Sequence, residues 1–231
     1  MVKTAFIFPG QGAQFVGMGK EVSNACASAR TIFETANDIL GYDCAALCFE
    51  GPEEQLMQTK FSQPAIFTTS IAVLEALKEK GKVAQPAVCF GLSLGEYTAL
   101  VAAGAMTFEE GLRLVKIRAE AMDNAGKQAG GTMASIMGST YEICKSVCDS
   151  IGNVWVANLN SPDQIVISGT VTAVQSAMHA LQEKGAKRAI QLKVSGAFHS
   201  PLMAPARERL TAAVAKVALQ APQCMFIPNF T

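Results

Sequence analysis

Between residues 132 and 194 the sequence reads strand, helix, strand, strand, helix, strand, and that order restricts the fold more than any other feature of the chain. Residues 132–137 (Thr-Met-Ala-Ser-Ile-Met), 154–159, 164–168 and 187–194 read as segments of strand length and strand composition. Residues 140–151 and 171–184 carry helical periodicity. Asn160-Ser161-Pro162-Asp163 is a turn signal joining the middle strands. A β-α-β-β-α-β order is the split βαβ unit of ferredoxin-like domains. Gly126, Gly130 and Gly131 are expected to break the preceding helix. The spacing therefore predicts a small ferredoxin-like domain over 126–196, inserted into a larger one.

The flanking segments read differently. Lys3 to Phe8 forms an apolar strand ended by Pro9-Gly10, and 87–91 (Ala-Val-Cys-Phe-Gly) is a short buried strand. Helical patterns cover 20–40, 64–80, 95–103 and 107–125. This alternation predicts an α/β layered domain over 1–125, to which the chain returns at 197–231.

Composition excludes several classes. Half of the 231 residues are apolar, and 19 basic residues balance 19 acidic ones. A balanced charge of this kind gives no field to attract nucleic acid or an anionic membrane. No apolar run reaches the roughly 20 residues of a membrane span, and the apolar start is cut short by Pro9 and Gly10, unlike a signal peptide. The expectation is a cytoplasmic protein without nucleic-acid or membrane partners. Cys44/Cys48 and Cys144/Cys148 are each four residues apart, a helix-face spacing that invites a metal reading. With two histidines in the chain and neither near those pairs, reduced apolar thiols are the better reading, and no metal is expected.

One motif carries chemistry. Gly91-Leu92-Ser93-Leu94-Gly95 is a G-x-S-x-G sequence between the 87–91 strand and the 95–103 helix. That setting is a nucleophile elbow, with the serine at a helix N-terminus and the Leu94 N–H aimed at a developing oxyanion. A serine needs a base. His179 lies within a helical stretch and reads as a solvated residue, whereas His199 sits on a domain-return loop ahead of Ser200-Pro201. No Asp or Glu stands out to orient His199, so a backbone carbonyl is the alternative.

These residues resemble the malonyl-CoA:acyl carrier protein transacylases of fatty acid and polyketide synthesis. The resemblance rests on Phe8-Pro9-Gly10-Gln11-Gly12-Ala13-Gln14, Gln63-Pro64-Ala65, Gly91-Leu92-Ser93-Leu94-Gly95-Glu96-Tyr97 and Gly196-Ala197-Phe198-His199-Ser200-Pro201-Leu202-Met203. It implies an α/β-hydrolase-like large domain and a malonyl transfer through Ser93, with His199 as base. It further implies an oxyanion hole from the backbone N–H groups of Gln11 and Leu94. Substrate contacts would come from Gln63, Asn160, Phe198 and Leu92, and Arg118 would hold the free malonyl carboxylate. Leu92 stands where the family usually has histidine. Family members run several tens of residues further, so the closing part of the large domain, with the carbonyl that orients the histidine, is expected to be missing. The partners implied are malonyl-CoA and a phosphopantetheinylated acyl carrier protein, with no further cofactor; separately from the resemblance, a monomer is expected. Lys187, Arg188 and Lys193 are candidate docking residues for an acidic carrier protein. Two rivals share part of this pattern: a thioesterase-like serine acyl hydrolase, and a non-catalytic truncated module that binds the carrier protein.

Overall fold

A computed structural model describes residues 3–230. The chain divides into two compact units, Met1–Glu120 with Leu210–Thr231, and Ala121–Arg209. Both are α/β, each with its own sheet.

In the large unit, β1 (Ala5–Phe8) leads through a glycine-bearing loop to α1 (Lys20–Ala25), α2 (Ala27–Leu40), α3 (Cys44–Glu50), α4 (Glu53–Leu56) and α5 (Thr59–Glu79). Then follow β2 (Val88–Gly91), α6 (Gly95–Ala102) and α7 (Phe108–Ala129), the last of which continues into the small unit. The sheet order is β1-β2-β7, all parallel, where β7 is Met225–Ile227. The expected burial of β1 and β2 is met on one face only: Phe8 and Cys89 are buried, whereas Ala5 is exposed and Ile7 is 66% exposed.

The helices form for ordinary reasons. In α2, Ala29, Phe33, Ala36 and Leu40 are buried at three- and four-residue intervals, and Gly41 closes the helix in the left-handed region at φ 78°. Asp43 caps α3 by accepting from the Ala46 N–H at 2.8 Å. The continuous helix expected over 20–40 is split at Cys26, whose backbone is extended (φ −135°, ψ 127°). Glu79 accounts for the restart, because its carboxylate accepts from the Ser28 N–H at 2.9 Å in the first turn of α2. The helix expected from Pro64 begins at Thr59, with Pro64 inside it. Burial of Ser62, Gln63, Ala65, Ile66 and Phe67 on this helix outweighs the ladder bond that proline removes.

In the small unit, β3 (Thr132–Met137), α8 (Tyr141–Ile151), β4 (Val154–Ser161), β5 (Gln164–Gly169), α9 (Val171–Glu183) and β6 (Arg188–Gln191) follow in the expected order. Sheet order is β4-β5-β3-β6, with every neighbouring pair antiparallel. Thr140 and Thr170 cap α8 and α9. Ile136, Val147, Ile167, Val174 and Leu181 lie in one core between these helices and the sheet.

The boundaries differ from 126 and 196 for a packing reason. Ala121, Met122 and Ala125 share a core with Met133, Val166, Phe198, Met203 and Ala206, so the end of α7 and the segment past 196 belong with the small sheet. Gly126 does not break α7. It lets the helix backbone pass the 195–196 segment, since a Cβ there would stand 2.8 Å from the Ser195 carbonyl oxygen. A short 3₁₀ turn at Pro201–Met203 and α10 (Ala204–Val214) lead back to the large unit.

Candidate active site

The elbow is built by close backbone approach. β2 ends at Gly91 opposite Phe8 of β1, and α6 starts at Gly95. A Cβ on Gly91 would lie 2.3 Å from the Gly95 carbonyl carbon, and one on Gly95 would lie 2.3 Å from the Phe8 carbonyl oxygen. A Cβ on Gly10 would meet the Leu92 carbonyl oxygen at 2.7 Å. These three positions thus need glycine because strand, turn and helix touch there. Between them Ser93 takes φ 53°, a left-handed conformation that costs a non-glycine residue about 1–3 kcal/mol.

Arg118 reaches the elbow from α7. It is 7% exposed, and its Nη2 donates to Ser93 Oγ at 2.7 Å while its Nη1 donates to Gln63 Oε1 at 2.5 Å. Its guanidinium carbon lies 5.6 Å from the centre of the Tyr97 ring. Among the described residues it makes no ion pair with a carboxylate. Burial pushes the guanidinium down from its ordinary value, while Tyr97 and Glu96 act in the opposite direction. Burial likewise raises the Tyr97 phenol against the pull of Arg118. Gln63, fully buried, donates from Nε2 to Gln11 Oε1 at 3.2 Å, and Gln11 Nε2 donates to Thr59 Oγ1 at 3.1 Å. A continuous chain of side chains therefore runs Ser93–Arg118–Gln63–Gln11–Thr59.

The backbone N–H groups of Gln11 and Leu94 donate to no partner among the described residues. The Ser93 N–H is engaged, donating to Asn229 Oδ1 at 2.5 Å. Leu94 is buried and Leu92 is 49% exposed. The large unit thus brings together Ser93, Arg118, Gln63, Gln11 and Leu94 of the expected set. Asn229, Thr59 and Tyr97 are the contacts that sequence reasoning did not assign. Tyr97 was visible in the motif; the other two have no local signal.

In the small unit, His199 is exposed and sits at φ 57°. Ser200 fixes the turn that follows, donating from Oγ to the Ala197 carbonyl at 2.6 Å and accepting from the Leu202 N–H at 3.3 Å. Phe198 is buried in the core with Met133 and Val166. Asn160 is exposed at the end of β4 and donates to Gln164 Oε1 at 3.2 Å; Gln164 in turn donates to Ser135 Oγ at 3.1 Å. Arg188 opens β6, and Lys187, Arg188 and Lys193 are all exposed. His179 is a surface residue 3.5 Å from Glu183. Among the described residues no group of three or more His, Cys, Asp or Glu could hold a metal ion, and no helix is long and apolar enough to cross a membrane.

A half-buried strand–turn–helix serine facing an arginine, with two N–H groups that are unengaged among the described residues, is the equipment of acyl transfer through a serine ester. Residues 5–230 match the acyl transferase domain family, and the chain belongs to it. It is 50% identical over 214 residues to the malonyl CoA-acyl carrier protein transacylase of Bacillus subtilis (strain 168), an alignment covering 91% of this chain and 67% of that protein. The solved malonyl CoA-acyl carrier protein transacylase of Coxiella burnetii superposes with a TM-score of 0.94 at 40% identity, covering 98% of this chain and 72% of that one. A solved complex of a type II PKS acyl-carrier protein with its malonyl-transacylase gives a TM-score of 0.94 at 38% identity, covering 99% of this chain and 74% of that one.

Proposed function

We infer that the chain transfers a malonyl group from malonyl-CoA to the phosphopantetheine thiol of an acyl carrier protein, through a malonyl ester on Ser93. The observation that carries this reading is the buried guanidinium of Arg118, without a carboxylate partner among the described residues, its Nη2 2.7 Å from Ser93 Oγ. A guanidinium fork binds a carboxylate through two charge-assisted hydrogen bonds. Malonyl carries a carboxylate at the far end from its thioester, so holding that carboxylate on Arg118 leaves the thioester carbonyl near the serine.

In the first half-reaction His199 accepts the Ser93 proton and Oγ attacks the thioester carbonyl. The Leu94 and Gln11 N–H groups stabilise the oxyanion. The C–S bond breaks, and the coenzyme A sulfur leaves with the proton from His199. In the second half, His199 deprotonates the carrier thiol, which attacks the malonyl ester and releases Ser93. One thioester is exchanged for another, so the reaction runs in both directions. Gln63 holds Arg118, and Asn160, Phe198 and Leu92 complete the substrate contacts by resemblance to the family.

The same reading takes the large unit as α/β-hydrolase-like and the small unit, with its order β4-β5-β3-β6, as ferredoxin-like. It takes the protein as a cytoplasmic monomer that needs no metal or cofactor. The carrier protein docks, in this reading, against Lys187, Arg188 and Lys193, whose exposed charges suit an acidic partner.

Intact-protein mass spectrometry after incubation with malonyl-CoA tests the proposal. One malonyl adduct is expected, absent in Ser93→Ala. Coenzyme A release without an adduct would favour the hydrolase, and neither product would favour a binding module.

A further inference from the structure

We propose that Asn229 is a positioning residue that sets the nucleophile elbow, its side-chain amide continuing the β2–β7 ladder past the point where the backbone of β7 can no longer pair. β7 lies parallel to β2 in the register Val88↔Met225, Cys89↔Phe226, Phe90↔Ile227. Extended by two residues, that register sets Gly91 beside Pro228 and Leu92 beside Asn229. Pro228 has no N–H to give.

In a parallel ladder a residue bonds to the two residues flanking its neighbour, donating to the carbonyl on one side and accepting from the N–H on the other. The Asn229 side chain makes those two bonds around Leu92. Its Nδ2 donates to the Gly91 carbonyl at 2.6 Å, and its Oδ1 accepts from the Ser93 N–H at 2.5 Å. Its own backbone N–H turns aside to Glu96 Oε1 at 3.0 Å, on the first turn of α6. One residue, more than 130 positions away, therefore ties down the strand end, the nucleophile and the following helix.

The arrangement has a chemical consequence. Ser93 sits at φ 53°, next to Leu94 in the elbow. With the Ser93 N–H held by Asn229, the Leu94 N–H is the unengaged donor at the elbow. The amide fixes both the twist that presents Oγ and the choice of donor for the oxyanion.

The test compares wild type, Asn229→Ala and Asn229→Asp, each checked for folding by circular dichroism and thermal denaturation. Asn229→Asp keeps the acceptor for the Ser93 N–H and loses the donor to Gly91. Two reagents are used. Malonyl-CoA reads acylation and rests on the function proposed above; an organic fluorophosphonate reads Ser93 reactivity without reference to any acyl group. Misplacing a reacting atom by about 1 Å costs on the order of 10²-fold. For Asn229→Ala the maximal rate with both reagents is expected to fall about 10- to 100-fold, with the half-saturating malonyl-CoA concentration unchanged, because Arg118 and Gln63 stay in place. Asn229→Asp is expected to fall about tenfold, on the same principle. Folded variants that react at the wild-type rate, or that lose only malonyl-CoA affinity, overturn the proposal. If the wild type reacts with the fluorophosphonate but not with malonyl-CoA, the acyl-transfer reading fails, and the fluorophosphonate rates alone still decide the role of Asn229. A wild type that reacts with neither overturns both.

Discussion

Replacing Arg118 with alanine is expected to weaken malonyl transfer more than acetyl transfer. In the free protein the guanidinium already donates to Ser93 Oγ and Gln63 Oε1, both neutral acceptors. Binding malonyl exchanges neutral acceptors for a carboxylate. A hydrogen bond to a charged group is worth about 1.5–3 kcal/mol against about 1 kcal/mol for a neutral one. Two such exchanges in a site where Arg118 is 7% exposed come to about 1–4 kcal/mol. Arg118→Ala is therefore expected to cut the second-order rate of malonyl-enzyme formation by about 5- to 1,000-fold, and by more than it cuts acetyl transfer. Acetyl-CoA carries no carboxylate, so its rate is expected to change less than tenfold. Quenched-flow mass spectrometry with each thioester supplies both rates. Equal losses for malonyl and acetyl would refute the argument, because they would mean that Arg118 holds the elbow rather than the substrate.

Gly95→Ala would raise helix propensity yet is expected to destabilise, since its Cβ meets the Phe8 carbonyl oxygen at 2.3 Å and the Pro9 carbonyl oxygen at 2.9 Å. A cost of about 1–3 kcal/mol, lowering Tm by several degrees, is the expected result of thermal denaturation. An unchanged Tm would mean that strand and helix separate freely there. Burial first, and then Cys144 and Asp149, push the Cys148 thiol up to about 12. The folded chain keeps that proton while the unfolded chain loses it above about pH 9, so stability falls as pH rises from about 9 to 12, by about 1.4 kcal/mol per pH unit for this thiol. Urea titrations across that range are expected to give a shallower decline for Cys148→Ala, and identical slopes would remove Cys148 as the cause.

Much of the fold was legible because it is written in local pattern. The alternating periods of 132–194 and the Asn160–Asp163 turn each act within a few residues. The misplaced boundaries come from tertiary contacts. Gly126 looks like a helix breaker, but its lack of a side chain serves the approach of Gly196, seventy positions on. Pro64 looks like a helix start, but the burial of Ser62 and Gln63 carries the helix back to Thr59. The β6 strand stops at Gln191 rather than 194 because Val194 N–H turns back to the Leu192 carbonyl. The site divides the same way. Ser93 and its glycines form one contiguous motif, whereas Arg118 gained its place from family resemblance. Asn229 could not be found at all, since its partners lie 133 to 138 residues away.

Among the described residues other than glycine, positive φ occurs at Ser93, Asn153 and His199. Glycine adopts that backbone at no steric cost. Substituting it at 93 or 199 would delete the proposed nucleophile or the proposed base while relaxing the chain locally. The path from a working copy of this gene to a silent but well-folded descendant is thus downhill in stability terms. A duplicated copy freed from catalysis could keep its surfaces and take up a scaffolding role without first having to be repaired.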